Sequence, residues 1–229
     1  MNEALHLKIE TDLYAINEYA NLGYSINEVQ VRLLIKKLSQ TFRDILVYNG
    51  LDLAIAKKIT TKFRDAGRRS APWQPTSSLV PGRPQNGSDG NRINRWLLPE
   101  DHKFYATEVK ATLVECKYLL QTLSMANAPV IPSPIIKDSF IWLTGHEIVP
   151  GRYKDPIQIV DINFFDFYND RRTLQSGHFV PLNRGGRHIP DNTFLMLYRS
   201  NQIQGDQTFE ELMEFMKETL RRHGELPVL

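Results

Sequence analysis

The run from 176 to 211 constrains the fold of this chain most, because its pattern changes from strand-like to helix-like around a glycine-rich loop. Its residues favour a short strand near 175–180, followed by a loop that contains Gly185 and Gly186. A turn or short strand near 189–195 comes next, and a helix begins directly after it. A strand, a loop and a helix in this order bring side chains from distant sequence positions close together.

Three polar residues stand in this run: His178, then Asn192 fourteen residues later, and Asn201 nine residues after that. A neutral imidazole can activate water, because its ordinary pKa is about 6.5. Amide and carboxylate oxygens are ligands for hard divalent cations such as Mg²⁺. Hydrolysis of a phosphodiester needs an activated water and a cation that neutralises charge on the phosphate, so this set of residues fits that chemistry.

These residues resemble the motif of the HNH, or ββα-metal, nucleases. In that family the motif reads Asp-His, a loop with Gly-Gly, an Asn, and then a His or Asn on the helix. Here His178, the glycine pair, Asn192 and Asn201 stand in that order, and the likeness covers about 142–211. It implies that His178 is the general base, that Asn192 braces the loop and orients His178, and that Asn201 binds a metal. The implied metal is Mg²⁺ or Mn²⁺, and the implied substrate is double-stranded DNA.

Gly177 departs from the family pattern, because the position before the histidine usually holds a metal-binding Asp. Glycine has no side-chain ligand, so another carboxylate is expected to replace it. Asp166 and Asp170 lie upstream and are equal candidates, and Asp161 is a third. Without such a replacement, the alternatives are a metal held by Asn201, water on the His178 side and DNA phosphates, or an inactive site.

The chain has a single cysteine, Cys116, so it can form neither an internal disulfide nor a zinc site built on several thiolates. Tyr198 and Ser200 stand where related sequences often carry a zinc-binding cysteine pair. No structural zinc is therefore expected, and Cys116 is predicted to be a buried apolar residue. The N-terminus lacks a signal-peptide core, and no apolar run approaches the ~20 residues of a membrane span, so a cytoplasmic protein is expected.

The rest of the chain divides into regions of different character. Residues 1–66 are predicted to be helical, with a capping box at 25–28. Residues 67–99 form a basic connector, rich in Gly and Pro, or an arm that contacts DNA. A helix and a Pro-rich break occupy 100–137, and the nuclease module is expected over 138–229. The predicted fold class is α+β, with a mainly helical N-terminal part followed by a ββα-metal module.

Two β-rich runs, 139–143 and 157–167, are expected to form strands before the motif. The last helix is predicted to open with a capping box at 208–211, and its apolar stripe is expected to pack against the protein. His146 also follows a glycine, but no glycine pair and asparagine series comes after it. We therefore do not expect His146 in the site.

The net charge of +2 gives no strong overall field, so contacts with DNA must come from local basic patches. The loop around the glycine pair, the segment before the motif strand and the basic connector carry such patches. The residues predicted to contact DNA are Arg184, Arg187, His188, Arg171, Arg172, Arg68 and Arg69.

The expected function is metal-dependent cleavage of DNA, most simply by a restriction endonuclease whose additional N-terminal part recognises the target sequence. A homing, phage-type or nicking HNH endonuclease is the alternative among enzymes of this kind. A toxin nuclease with an immunity partner, and a catalytically degenerate HNH scaffold that only binds DNA, are further alternatives. One such site cuts one strand, so cleavage of both strands would require a homodimer or sequential nicking.

Overall fold

The computed structural model describes residues 3–69 and 93–225. Most of the basic connector, 70–92, lies outside these described residues. The described part is α+β: mostly helical, with one small antiparallel sheet of two strands, as expected for the fold class at this level. Within the described ranges, no helix has both the length and the apolar character needed to cross a bilayer.

Four long helices build the first half of the molecule. They are α1 (Glu3–Ala20), α2 (Glu28–Tyr48), α3 (Leu53–Gly67) and α4 (Glu108–Leu123). The first three confirm the helical prediction for the N-terminal region. α4 begins later than expected because its side-chain cap, Thr107, accepts from the backbone only at that point, and the residues before it form turns.

The helix caps show one error and one success of the sequence pattern. The capping box of α2 is formed by Asn27 and Gln30, with both reciprocal bonds 3.0 Å long. The box predicted at 25–28 is therefore wrong, because Ser25 still belongs to a preceding 3₁₀ turn. The box at the start of the last helix is confirmed, since Thr208 and Glu211 bond each other's backbone N–H groups.

α4 is the central helix of the fold, because every residue over 111–123 is buried. A helix buried on all sides packs against neighbours in every direction. One hydrophobic core accordingly runs from Ile9 in α1, through α4, to Leu195 in the sheet. Cys116 is completely buried within it, which confirms the sequence prediction.

The two β-rich runs expected before the motif are not strands, which corrects the prediction. The first contains the short helix α5 (Ile141–Thr144), and the second ends in α6 (Phe164–Asn169). Phe164 and Phe167 are spaced one turn apart and both enter the core, and Asn163 caps α6 by accepting from the backbone. A short apolar run does not distinguish a buried helix from a strand by its pattern alone.

The motif region forms a hairpin followed by two helices. Strand β1 (Leu174–His178) pairs antiparallel with β2 (Thr193–Leu197), and His178 lies opposite Thr193. α7 (Tyr198–Gln204) follows β2 directly, and α8 (Phe209–Arg222) comes after a short turn. The predicted order of strand, loop, strand and helix is confirmed.

The apolar stripe of α8 packs only at its beginning. Leu212 is buried in a small cluster with Phe194 and Met196. Phe215 and Leu220 are 59% and 42% exposed, so the expectation that the whole stripe packs is wrong for the second half of the helix. The small cluster contacts only the first turns of α8, because the helix then extends away from the hairpin.

Candidate active site

The end of β1 and the middle of α7 border one cavity of about 400 Å³. His178, the last residue of β1, and Asn201, in α7, both line it. The hairpin brings these two residues together, because β2 returns the chain along β1 before α7 begins. Lys103, Asn183 and Asp206 also line the cavity.

These last three residues were not selected from the sequence. Lys103 Nζ donates to Asn183 Oδ1 at 2.8 Å, which joins the segment before α4 to the loop of the hairpin. Eighty positions separate these two residues, so no local pattern signalled their contact. Asp206 is different, because a carboxylate directly after the motif helix is visible in the sequence. Its position after Gly205 was the one signal that could have indicated it.

Asn192 holds the loop between the strands. Its Oδ1 accepts from the backbone N–H of Val180 at 2.8 Å, and its Nδ2 donates to the carbonyl oxygens of Val180 and Arg187, each at 2.9 Å. The three bonds pin the chain immediately after His178 to the far side of the loop. They are bonds of the kind that a bracing role for Asn192 requires.

The glycine pair allows this loop to fold back closely. A Cβ added at Gly186 would lie 1.9 Å from the carbonyl oxygen of Val180, so no side chain fits there. Gly185 has a φ of +84°, a conformation that residues with a side chain rarely adopt. The loop can therefore stay in contact with the residues that follow His178.

Gly177 is enclosed by packing. It pairs with Phe194, and a Cβ at this position would lie 2.3 Å from Met196 Sδ and 2.8 Å from the Phe194 ring. Gly177 borders the cavity, but a side chain at this position would point at Met196 and Phe194, which belong to an apolar cluster. The departure from the family pattern has a physical reason, since a carboxylate here would be driven into this cluster.

His178 contacts a second histidine. The distance between His178 Nε2 and His188 Nδ1 is 3.1 Å, and His188 Nε2 is 2.8 Å from the carbonyl oxygen of Gly67 at the end of α3. A carbonyl oxygen only accepts hydrogen bonds, so His188 carries its proton on Nε2. Burial, with the charge of Arg95 acting in the same direction, holds the pKa of His188 well below its ordinary value. His188 is therefore neutral, and its Nδ1 has a free lone pair.

This arrangement determines the tautomer of His178. His188 Nδ1 is the acceptor, so His178 Nε2 must be the donor and carries the proton. The other nitrogen of His178, Nδ1, keeps its lone pair and bonds to none of the described residues, and His178 is one of the residues that line the cavity. Burial lowers the pKa of His178 to about 4, with a further contribution from Arg95. At neutral pH the ring is an uncharged imidazole with an available lone pair.

Arg95 links the basic connector to this pair of histidines. Its guanidinium is buried and donates to the carbonyl oxygens of Gly67, Phe104 and Ala66 at 2.9, 3.2 and 3.3 Å. The Gly67 carbonyl thus accepts from both Arg95 and His188. This end of the connector has a structural role, which its arginine content alone did not indicate.

The acidic residues expected as metal ligands lie elsewhere. Asp166 is exposed on α6, and Asp161 is exposed in the segment before it. Asp170 forms an ion pair with Arg172, which lowers the pKa of the carboxyl to about 2. None of the three borders the cavity of His178. Asp170 borders another cavity at the opposite end of β1, because it precedes the strand whose last residue is His178.

The basic residues of the loop have different environments. Arg187 is exposed beside the glycine pair. Arg184 forms an ion pair with Glu211 of α8 at 2.7 Å and is partly exposed. The prediction that His188 contacts DNA is corrected, because its side chain is completely buried between His178 and Gly67.

The other four arginines predicted to contact DNA lie outside the cavity. Arg68 is paired with the buried Glu115, and Arg69 is paired with Asp65 at 3.1 Å. Arg172 is highly exposed but bonded to Asp170, and Arg171 beside it is half-buried. A role for these four in DNA binding stays a prediction.

The oxygen donors of the residues that line the cavity suit a hard divalent cation. Within residues 3–69 and 93–225, no group of three or more His, Cys, Asp or Glu side chains is placed to hold an ion. Two of the residues that line the cavity, Asn201 and Asp206, carry an amide oxygen and a carboxylate. Mg²⁺ is commonly bound through one or two protein oxygens, several waters and substrate phosphates, and this donor set fits it. A structural zinc ion needs four protein ligands, and the donor set does not fit it.

Neither a family model nor a curated protein matches this chain. Among the solved structures that match is one described as "Crystal structure of a type II restriction endonuclease", with a TM-score of 0.45 and 19% sequence identity. The match covers 58% of this chain, and the chain spans 63% of the length of that structure. A similarity this low assigns no function, so the function has to be argued from the site.

Proposed function

We propose that this protein is a metal-dependent DNA endonuclease of the ββα-metal type, in which His178 activates the attacking water. Two observations carry the proposal: the Nδ1 of His178 keeps its lone pair, and His178 and Asn201 line the same cavity. More specifically, we propose that the protein is a restriction endonuclease whose helical N-terminal part recognises the target sequence.

In the proposed reaction, the oxygen of a water molecule attacks the phosphorus, and a proton of that water moves to Nδ1 of His178. A new P–O bond forms, the bond from phosphorus to a sugar oxygen breaks, and the leaving oxygen takes a proton from solvent. His188 acts as a positioning residue, because it keeps the proton of His178 on Nε2 and thereby leaves Nδ1 available.

Asn201 and Asp206 are the residues proposed to hold the divalent cation, since Gly177 has no ligand and Asp166 and Asp170 do not border the cavity. A bound Mg²⁺ or Mn²⁺ would neutralise the charge that develops on the phosphate. Lys103, which also lines the cavity, adds a positive charge near the proposed position of that phosphate.

A plasmid-cleavage assay tests this function. Wild type and His178→Ala would each be incubated with diverse plasmid DNA in Mg²⁺, in Mn²⁺ and in EDTA. We expect discrete fragments that require metal and disappear in the variant. Nicked or linear plasmid products would also report whether one strand or both strands are cut. Cleavage that continues in EDTA or in His178→Ala would contradict the proposal.

A DNA-binding protein on a degenerate scaffold is the second candidate. It is favoured by one observation, namely that no cluster of three His, Cys, Asp or Glu side chains suited to a metal exists among the described residues. In that case wild type and His178→Ala would bind DNA equally in a mobility-shift assay, and neither would cut it in either metal.

A further inference from the structure

A second cavity, of about 710 Å³, lies between α2 and α3 and extends to α4. We call it the α2–α3 groove. Its lining is strongly basic, with six cationic side chains and two carboxylates. The cationic side chains are those of Arg32, Lys36, Arg43, Lys57, Arg64 and Arg68.

The cations form two stripes that face each other. On α2 they stand at 32, 36 and 43; on α3 they stand at 57 and 64, with Arg68 in the cap that follows the helix. Intervals of four, seven and eleven residues keep side chains on one face of a helix. Each helix therefore presents one basic edge to the same groove. Like charges four residues apart on a helix repel each other. Arg32 and Arg68 offset this repulsion by pairing with Glu108 and Glu115 of α4, whereas Lys36 and Lys57 have no such pair among the described residues.

The two carboxylates of the groove are already engaged. Glu115 is buried and paired with Arg68, and Asp44 is bonded by Lys8 from outside the groove and by Gln40. Lys36 and Lys57 are exposed, and neither has an ion pair or hydrogen bond to any of the residues the structure describes. Arg32 and Arg64 are also paired, with Glu108 and Asp65, so the surplus positive charge of the groove comes from Lys36, Arg43 and Lys57.

We propose that the α2–α3 groove binds the phosphate backbone of the DNA substrate. This inference rests on the proposed function and adds a contact surface to it. Eleven residues of helix rise about 16 Å, which is the length of each basic stripe. The phosphates of one strand follow one another every ~3.4 Å along the axis of the double helix, so a stripe of this length spans more than one phosphate and not one isolated anion.

The groove is directly connected to the candidate active site. Arg68, at one end of the groove, follows Gly67, whose carbonyl oxygen accepts from His188. His188 in turn bonds to His178. A backbone held along α3 would therefore be fixed relative to the cavity in which cleavage is proposed.

Binding measured without metal tests the inference separately from cleavage. Fluorescence anisotropy with a labelled duplex in EDTA would compare wild type, Lys36→Glu/Lys57→Glu and the control Lys58→Glu/Lys110→Glu. The control makes the same charge change at two exposed lysines that do not line the groove, one on α3 and one on α4. Circular dichroism would show that all three proteins are folded.

We expect the groove variant to bind the duplex on the order of tenfold more weakly, or worse. The slope of log K against log salt should also become shallower by about two, because each lost phosphate contact reduces that slope by ~0.9. The control variant should lose much less affinity.

Equal losses of affinity in both variants would overturn the inference. Competition by poly-glutamate as effective as that by unlabelled duplex would also overturn it. A wild type that binds through the groove but never cuts would contradict the endonuclease proposal and leave the groove standing. If the wild type cuts DNA but the groove variant binds it as tightly as the wild type does, the groove inference is wrong and the endonuclease proposal stands.

Discussion

The chain contains two Gly-His pairs, and the structure gives their histidines opposite environments. His146 follows α5, and its Nδ1 is 2.9 Å from the carbonyl oxygen of Glu147, so the proton lies on Nδ1. Its Nε2 is buried and has no hydrogen-bond partner among the described residues. His178 carries its proton on Nε2 and keeps a lone pair on Nδ1, and the residue lines a cavity.

The difference shows that the hydrogen bond made by one ring nitrogen decides which nitrogen keeps its lone pair. Burial lowers the pKa of both rings, so charge does not separate them. The separation comes from the second histidine, His188, which fixes the tautomer of His178, and from the cavity beside it. His146 has an aromatic neighbour, Tyr153, with ring centroids 5.2 Å apart, and its free nitrogen faces the interior.

The largest expected effect is on the rate of cleavage. His178→Ala should reduce kcat by roughly 10²–10⁴-fold, the usual contribution of a general base. His146→Ala should leave the kcat of the folded protein nearly unchanged. Single-turnover cleavage of a defined duplex measures both. Comparable losses in the two variants would mean that the orientation of the lone pair does not distinguish the two histidines.

The next effect concerns the partner of His178. His188→Phe removes the acceptor for His178 Nε2, and we expect about a 10–100-fold loss of activity, as for other groups that orient an active-site imidazole. His188→Asn keeps an acceptor atom near the same place and should recover part of the loss.

The ¹⁵N chemical shifts of the His178 ring provide a readout that a purely structural role would not move. They should report the Nε2-protonated tautomer in wild type and in His188→Asn, and a mixture in His188→Phe. A wild-type ring protonated on Nδ1 would exclude the proposed role of His188.

The Gly177→Asp substitution tests whether packing closes the position before His178 to a metal ligand. The substitution restores the family's usual residue, but its Cβ meets Met196 Sδ and the Phe194 ring. We expect it to lower the free energy of unfolding by about 1–3 kcal/mol, the usual cost of overpacking, and to bring no tighter Mg²⁺ binding. Urea unfolding and calorimetric titration measure the two quantities. A stable variant with increased Mg²⁺ affinity would show that this position is not closed to a ligand.

The smallest effect is on the pH dependence of cleavage. The reaction needs neutral His178, and its pKa of about 4 keeps it neutral above pH 5. Activity should therefore lose little as the pH falls from 7.5 to 5.5. A base with the ordinary pKa of about 6.5 would lose roughly 90% of its neutral form at pH 5.5. Single-turnover rates measured over a pH series at saturating metal distinguish these two pKa values. A fall in rate centred near pH 6.5 would contradict the burial of His178.

Sequence reasoning succeeded where the signal was local. The hairpin, the glycine pair and the following helix were predicted, because each depends on periodicity or turn chemistry within a few residues. It failed for the runs that became α5 and α6, because their burial against α4 and the core is set by distant partners. It also misassigned His188, since a histidine beside two arginines in a loop has the pattern of an exposed basic residue.

The sequence by itself determined the order of the motif and the residues His178, Asn192 and Asn201, because their spacing follows from one hairpin and one helix. Only the tertiary structure decided which distant residues surround the candidate site. The Gly67 carbonyl lies 121 positions from His188, and Lys103 lies 80 positions from Asn183. Contacts over such separations come from packing around α4, and packing depends on which surfaces meet and not on any pattern within one segment.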